Sequence, residues 1–200
     1  FQADDGLRDC LLSRGLGDVY KSQVGDGNPR KLGMLTLVNN AGMPDAQWAV
    51  KQSDELIDTV MGTNLTGPYI LSCEVARKLM QEKLPGRMVN IASMAAFNTT
   101  SQSAAPLYSI TKKALVRMTE ALAVEWAGRN INVNAIAPGF FSSEMTDGML
   151  ERIGDITPTL NRKRIPTAEQ MDSTLLFLLS PSSECVTGTC IKIDDGQMSR

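Results

Sequence analysis

The chain has 200 residues, 42% of them apolar and 21% charged, with 20 basic against 22 acidic side chains and no histidine. That length suits about one domain, 1–200, with a sizeable core, and a net charge of -2 leaves no footprint for a polyanion, so nucleic acid is not an expected partner. The apolar runs fall far short of the ~20 residues that span a bilayer, and without histidine any proton transfer falls to Tyr, Lys, Asp, Glu or Cys.

Early in the chain, Cys10 is the first of four scattered cysteines, with Cys73, Cys185 and Cys190. No CxxC pair occurs, which fits free thiols in a reducing, cytoplasmic setting and gives no metal site. "MLTLV" (34–38) is a β-rich apolar run closed by "NNAG", the pattern of a buried strand ending in a turn. A helical stretch follows from Ser53 to Lys83, with Ser53 as N-cap and Asp54 and Glu55 in the first turn. Gly67 and Pro68 interrupt it, so two helices are expected to meet near Asn64.

"RMVNIAS" (87–93) is the next strand, after a Pro85-Gly86 turn. From Ala105 to Arg129 apolar residues recur at three- and four-residue steps, the stripe of a buried helix face. "INVNAIAPG" (131–139) reads as a strand, 140–165 as a loop with short helical potential, "AEQMDSTLLFLLS" as a helix and "CIKID" as a last strand. Alternation of this kind argues for a parallel α/β sheet covered on both faces. Ligands then sit beyond the carboxyl ends of the strands, which singles out "NNAG", Ser93, "PGF" and "DDG".

Tyr108 and Lys112 stand four residues apart on the predicted helix, so they share a face about 6 Å apart along the axis. They could simply pack there, phenol half buried and ammonium in water. They could also do acid/base chemistry, provided a cation close by draws the phenol down from its ordinary pKa of about 10. Ser93 closes a strand and could be a turn or cap residue. Asn64 could be a kink residue bonding its own backbone.

Taken together, "NNAG", "TNLTG" with Asn64, "NIAS" with Ser93, "YSITK" with Tyr108 and Lys112, "NVNAIAPG" and "VTG...IDDG" occur in an order that resembles the short-chain dehydrogenase/reductases. The resemblance is to the large subgroup that includes the 3-oxoacyl-carrier-protein reductases and related sugar and alcohol dehydrogenases. The resemblance runs from about Asp4 to Gly196. It implies a Rossmann-like, doubly wound parallel sheet with helices on both faces. It also implies an NAD(P)-dependent oxidoreductase that interconverts a small secondary alcohol and a ketone. Tyr108 would be the acid/base, and Lys112 would hold the nicotinamide ribose and lower the tyrosine pKa. Ser93 would bond the substrate oxygen, and Asn64 would position a water linking Lys112 to solvent. NAD or NADP would meet Asp4 at the adenine, Asn39, Ala41 and Gly42 along the adenosine side, Pro138 and Gly139 beside the nicotinamide, and Phe141 with Ser143 at the carboxamide. Homo-dimers or homo-tetramers would form through the two long helices.

The family's glycine-rich TGxxxGxG turn, which holds a pyrophosphate on backbone N–H groups, has no counterpart after a first strand. The sheet is therefore expected to lack its first strands, and the residue that chooses between the dinucleotides goes with them. An alternative is a truncated remnant that keeps the helices for dimerisation and binds no cofactor. A Ser93/Lys112 hydrolase lacks the strained nucleophile elbow. "NRKR" (161–164) is either a solvated run or a contact for an acidic group, and "DDG" stands where the family has Asp-Gly-Gly.

Overall fold

The computed structural model describes residues 34–99 and 105–198. Among the described residues four strands, β1 (Leu35–Asn39), β2 (Gly86–Ile91), β3 (Ile131–Pro138) and β4 (Cys190–Ile193), form one sheet in that order. Every neighbouring pair is parallel. Parallel neighbours need long crossovers. Between β1 and β2 run α1 (Asp54–Met61), a π-helical turn (Gly62–Thr66) and α2 (Gly67–Glu82). The helix α3 (Pro106–Trp126) joins β2 to β3, and α4 (Glu144–Ile153) with α5 (Asp172–Leu179) joins β3 to β4.

Side chains alternate across the sheet because a strand repeats every two residues. On one face Leu37, Met88, Ile131 and Val133 pack against Leu79 of α2 and Leu115, Leu122 and Trp126 of α3. On the other, Val89 and Ile136 meet Leu178 of α5. Helices therefore cover both faces, and β2 and β3 are buried along nearly their whole length, as central parallel strands require.

The expected break at Gly67-Pro68 takes another form. Helical backbone runs on from α1 into α2 through the π turn, with Asn64 inside it. Pro68 stands at the second residue of α2, directly after the π turn. A Cβ on Gly67 would come within 3.1 Å of the Gly62 carbonyl oxygen, so a glycine lets the wider turn close. The helix expected to reach Arg129 leaves α geometry at Trp126, tightens into a 3-10 turn at Ala127–Arg129 and stops at left-handed Asn130 (φ 56°).

Buried amides fasten the carboxyl ends of the first two strands to the helices. Asn39 Nδ2 donates to Asn90 Oδ1 at 2.7 Å and to Ser72 Oγ at 3.0 Å. Asn90 Nδ2 donates to Thr119 Oγ1 at 2.8 Å, whose hydroxyl donates on to Leu115 O at 2.9 Å. Such a chain tolerates burial because its members find partners.

Candidate active site

Tyr108 is the third residue of α3, and α3 begins without a cap of its own, since Ala105 stands at the N-cap position. Two bonds from outside the helix supply the missing order. Asp45 Oδ2 accepts from the Leu107 N–H at 3.0 Å, and Ser109 Oγ donates to Ala95 O at 2.7 Å. The residues on either side of Tyr108 are thus tied to the loops that follow β1 and β2. No pattern in the sequence marks Asp45, because its partner lies 62 residues away.

The strand-end turn carries Ser93 to the phenol. Ser93 Oγ accepts from the Ala95 N–H at 3.1 Å, which occupies an acceptor side and leaves its own hydrogen to donate. Burial raises the Tyr108 pKa above its usual value, and the bond from Ser93 opposes that rise. Lys112 lies one turn further on, with Nζ 5.7 Å from the tyrosine ring centroid. Its ammonium donates to Ile91 O at 2.8 Å, and burial brings its pKa down to about 8. The lysine therefore points at a strand carbonyl rather than at the phenol oxygen, and burial, not its charge, dominates the tyrosine pKa here. Two of its three N–H groups have no partner among the described residues.

Asn64 is fully buried, and its side chain is engaged by protein. Oδ1 accepts from Met43 N at 2.9 Å, while Nδ2 donates to Met43 O at 2.9 Å and to Thr111 Oγ1 at 3.1 Å. The residue fixes the loop after β1 against α3. Gly42 in that loop lies over the lysine, where a Cβ would come within 3.1 Å of Lys112 Nζ. Ala41 is exposed and Gly42 partly so, leaving backbone open at the carboxyl end of β1 for close approach by a flat ligand. Asn39 is 5% exposed with its amide turned into the core, so only its backbone faces that side.

Beyond β3, Pro138 and Gly139 are partly exposed at the same edge, with the Gly139 N–H bonded to Ile193 O at 2.8 Å. Gln197 holds the turn that follows, accepting from Phe140 N at 2.7 Å and donating to Phe140 O at 2.9 Å. Phe141 is buried, and Ser143 caps α4 by accepting from Thr146 N at 3.2 Å. The structure thus brings Asn64, Ser93, Tyr108 and Lys112 together with Gly42, while Ser143 spends its hydroxyl on a helix end. Asp4 lies outside the described residues. The unexplained Asp of "DDG" acquires a role. Asp195 accepts from Arg164 Nε at 2.7 Å and from an Arg162 Nη at 2.9 Å, tying the "NRKR" loop to the end of β4. Sequence reading missed Asp45, Thr111 and Gln197, and only the position of Gln197 after "DDG" could have suggested it.

Among the described residues no helix is long and apolar enough to cross a membrane, and no cluster of His, Cys, Asp or Glu could hold a metal. Against known proteins, a family model described as enoyl-(acyl carrier protein) reductase matches residues 30–198. A 2-dehydro-3-deoxy-D-gluconate 5-dehydrogenase of Dickeya dadantii is 34% identical over 82% of this chain and 65% of its own length. A 3-oxoacyl-acyl-carrier-protein reductase FabG of Rickettsia felis is 34% identical over 81% of this chain and 66% of its own. The chain thus spans about 65% of the length of these curated relatives. Among solved structures, a short-chain type dehydrogenase/reductase from Mycobacterium marinum superposes with a TM-score of 0.79 at 26% identity, covering 92% of this chain and 71% of that one. A 4-hydroxyisoleucine dehydrogenase complexed with NADH gives 0.72 at 27% identity, covering 92% and 75%.

Proposed function

Because the chain belongs to the short-chain dehydrogenase/reductase family, we propose that it serves NAD- or NADP-dependent interconversion of a small secondary alcohol and a ketone. The observation that carries this reading is the Tyr108 phenol beside the Ser93 hydroxyl, with Lys112 one helical turn on and open backbone at Ala41 and Gly42 facing the same edge. A bound nicotinamide supplies the hydride chemistry. This chain supplies position and a proton.

In the reducing direction, the raised pKa keeps Tyr108 protonated at neutral pH. Its Oη donates that proton to the ketone oxygen as the carbonyl carbon is reduced, and takes it back from the alcohol in the reverse direction. Ser93 bonds the same oxygen and holds it in line. The two N–H groups of Lys112 without partners among the described residues suit ribose hydroxyls, and Asn64 keeps the Gly42 loop in place over the lysine. Open backbone after β1 and Pro138-Gly139 at the end of β3 fit the flat rings and sugar of a dinucleotide. Free Cys73 and Cys185 fit a cytoplasmic setting.

A second reading rests on the exposed apolar residues Tyr69 and Ile70 of α2 and Ile110 and Val124 of α3, which suit a homo-dimer or homo-tetramer contact. Association of that kind could persist without chemistry. Fluorescence titration with reduced dinucleotide, followed by its oxidation in the presence of a ketone panel, separates the two. Micromolar binding and consumption of cofactor with at least one ketone are expected. A chain that self-associates but binds neither NADH nor NADPH would be a dimerisation module.

A further inference from the structure

At the amino-terminal edge of the sheet, opposite the strand ends that carry the proposed chemistry, lies a cavity of about 580 Å³. Three cationic side chains from separate elements line it: Lys83 behind α2, Arg87 on β2 and Arg129 in the turn after α3. Arg87 is only 5% exposed. One of its Nη groups donates to Gly86 O at 2.9 Å, while its buried Nε has no partner among the described residues. Among the described residues no carboxylate pairs with Lys83, Arg87 or Arg129, and Glu184, the one acidic group of the lining, forms no ion pair with them.

A guanidinium taken out of water without a counter-charge is costly, and its planar fork of N–H donors matches an oxyanion. Three cations against one carboxylate leave an excess of two positive charges, which suits a phosphate monoester dianion better than a carboxylate. Leu84 and Pro85 add an apolar wall beside the charges. We infer that this cavity binds a small phosphate monoester, with Arg87 holding the phosphate from within, Lys83 and Arg129 closing on it from the rim, and the organic body against Leu84 and Pro85. The inference is independent of the reading of Tyr108.

The test is calorimetric titration of the full chain with phenyl phosphate, in the absence of dinucleotide, beside benzyl alcohol as the uncharged analogue. Lys83 and Arg129 are exposed, so K83Q/R129Q removes two charges without touching the core. Saturable one-to-one binding of phenyl phosphate is expected, at least fivefold weaker in K83Q/R129Q, unchanged in Tyr108→Phe and absent for benzyl alcohol. No saturable binding to the wild type would overturn the inference. So would a smaller weakening in K83Q/R129Q, binding of benzyl alcohol, or loss of binding in Tyr108→Phe, which would place the ligand at the other end of the sheet.

Discussion

Lys112 holds its ammonium where water is scarce, and that has a consequence for stability. Burial lowers its pKa from 10.5 to about 8, so between those values the unfolded chain binds a proton that the folded chain has released. Stability rises with pH wherever the unfolded state holds more protons. The penalty of burying the charge is therefore full below about pH 8 and is relieved as pH climbs toward 10.5. Cys190 works in the opposite sense, because burial pushes its thiol up to about 11 and the folded chain then keeps a proton the unfolded one has lost. Comparison with Lys112→Met cancels that contribution. Denaturant melts of both proteins from pH 7.5 to 10.5 should show the wild type gaining on the variant by up to roughly 3 kcal/mol; parallel curves would mean that the lysine is not desolvated. That Tyr108 and Lys112 share a helix face was readable from their four-residue spacing, and that the face matters only from the motifs around them. The target of the ammonium, Ile91 O, was not, because it depends on where β2 ends in space.

The first turn of α3 shows how an element can depend on a residue far from it in sequence. Asp45 is 3% exposed and takes the place of an absent N-cap, so Asp45→Ala removes an acceptor from the Leu107 N–H and from Gln52 Nε2. A loss of about 1–3 kcal/mol is expected in denaturant unfolding. Hydrogen exchange at Leu107 should accelerate, and turnover should fall more than dinucleotide affinity because Tyr108 loses its fixed neighbour. Unchanged exchange at Leu107 would count against the clamp. The loop 161–164 behaves differently. Its arginines are largely exposed, and Asp195 itself sits at left-handed φ 51°. Asp195→Gly relieves the backbone while breaking surface ion pairs, two effects of similar size and opposite sign. Net stability in denaturant melts should change little, yet tryptic cleavage after Arg162, Lys163 or Arg164 should quicken. Helix and strand order was legible from periodicity and turn residues. The π turn at Asn64 and the early end of α3 were not, since both are set by backbone closure at Gly67 and Asn130.

At the scale of the molecule, a buried amide chain binds β1, β2, α2 and α3 together at the carboxyl edge of the sheet. Asn90 lies at its middle, fully buried, so Asn90→Ala removes one acceptor of the Asn39 amide and the donor to Thr119 Oγ1 at once, leaving Asn39 its bond to Ser72 and Thr119 its bond to Leu115 O. A cost of about 2–4 kcal/mol in denaturant unfolding is expected, and a change below ~1 kcal/mol would show that the chain is not a brace. The parallel sheet was legible from the alternation of strands and helices, and the grouping of Asn64, Ser93, Tyr108 and Lys112 from the ordered motifs that resemble the family. The supports are less visible, because Asp45, Thr111 and Gln197 owe their roles to contacts across tens of residues. The central claim is that the Tyr108 phenol moves the proton at this edge. Its most direct test is steady-state turnover of Tyr108→Phe beside the wild type, at saturating reduced dinucleotide and with a ketone that the wild type reduces. Turnover should fall at least ~100-fold with dinucleotide affinity within about threefold of wild type. A variant that kept most of its turnover would contradict the account.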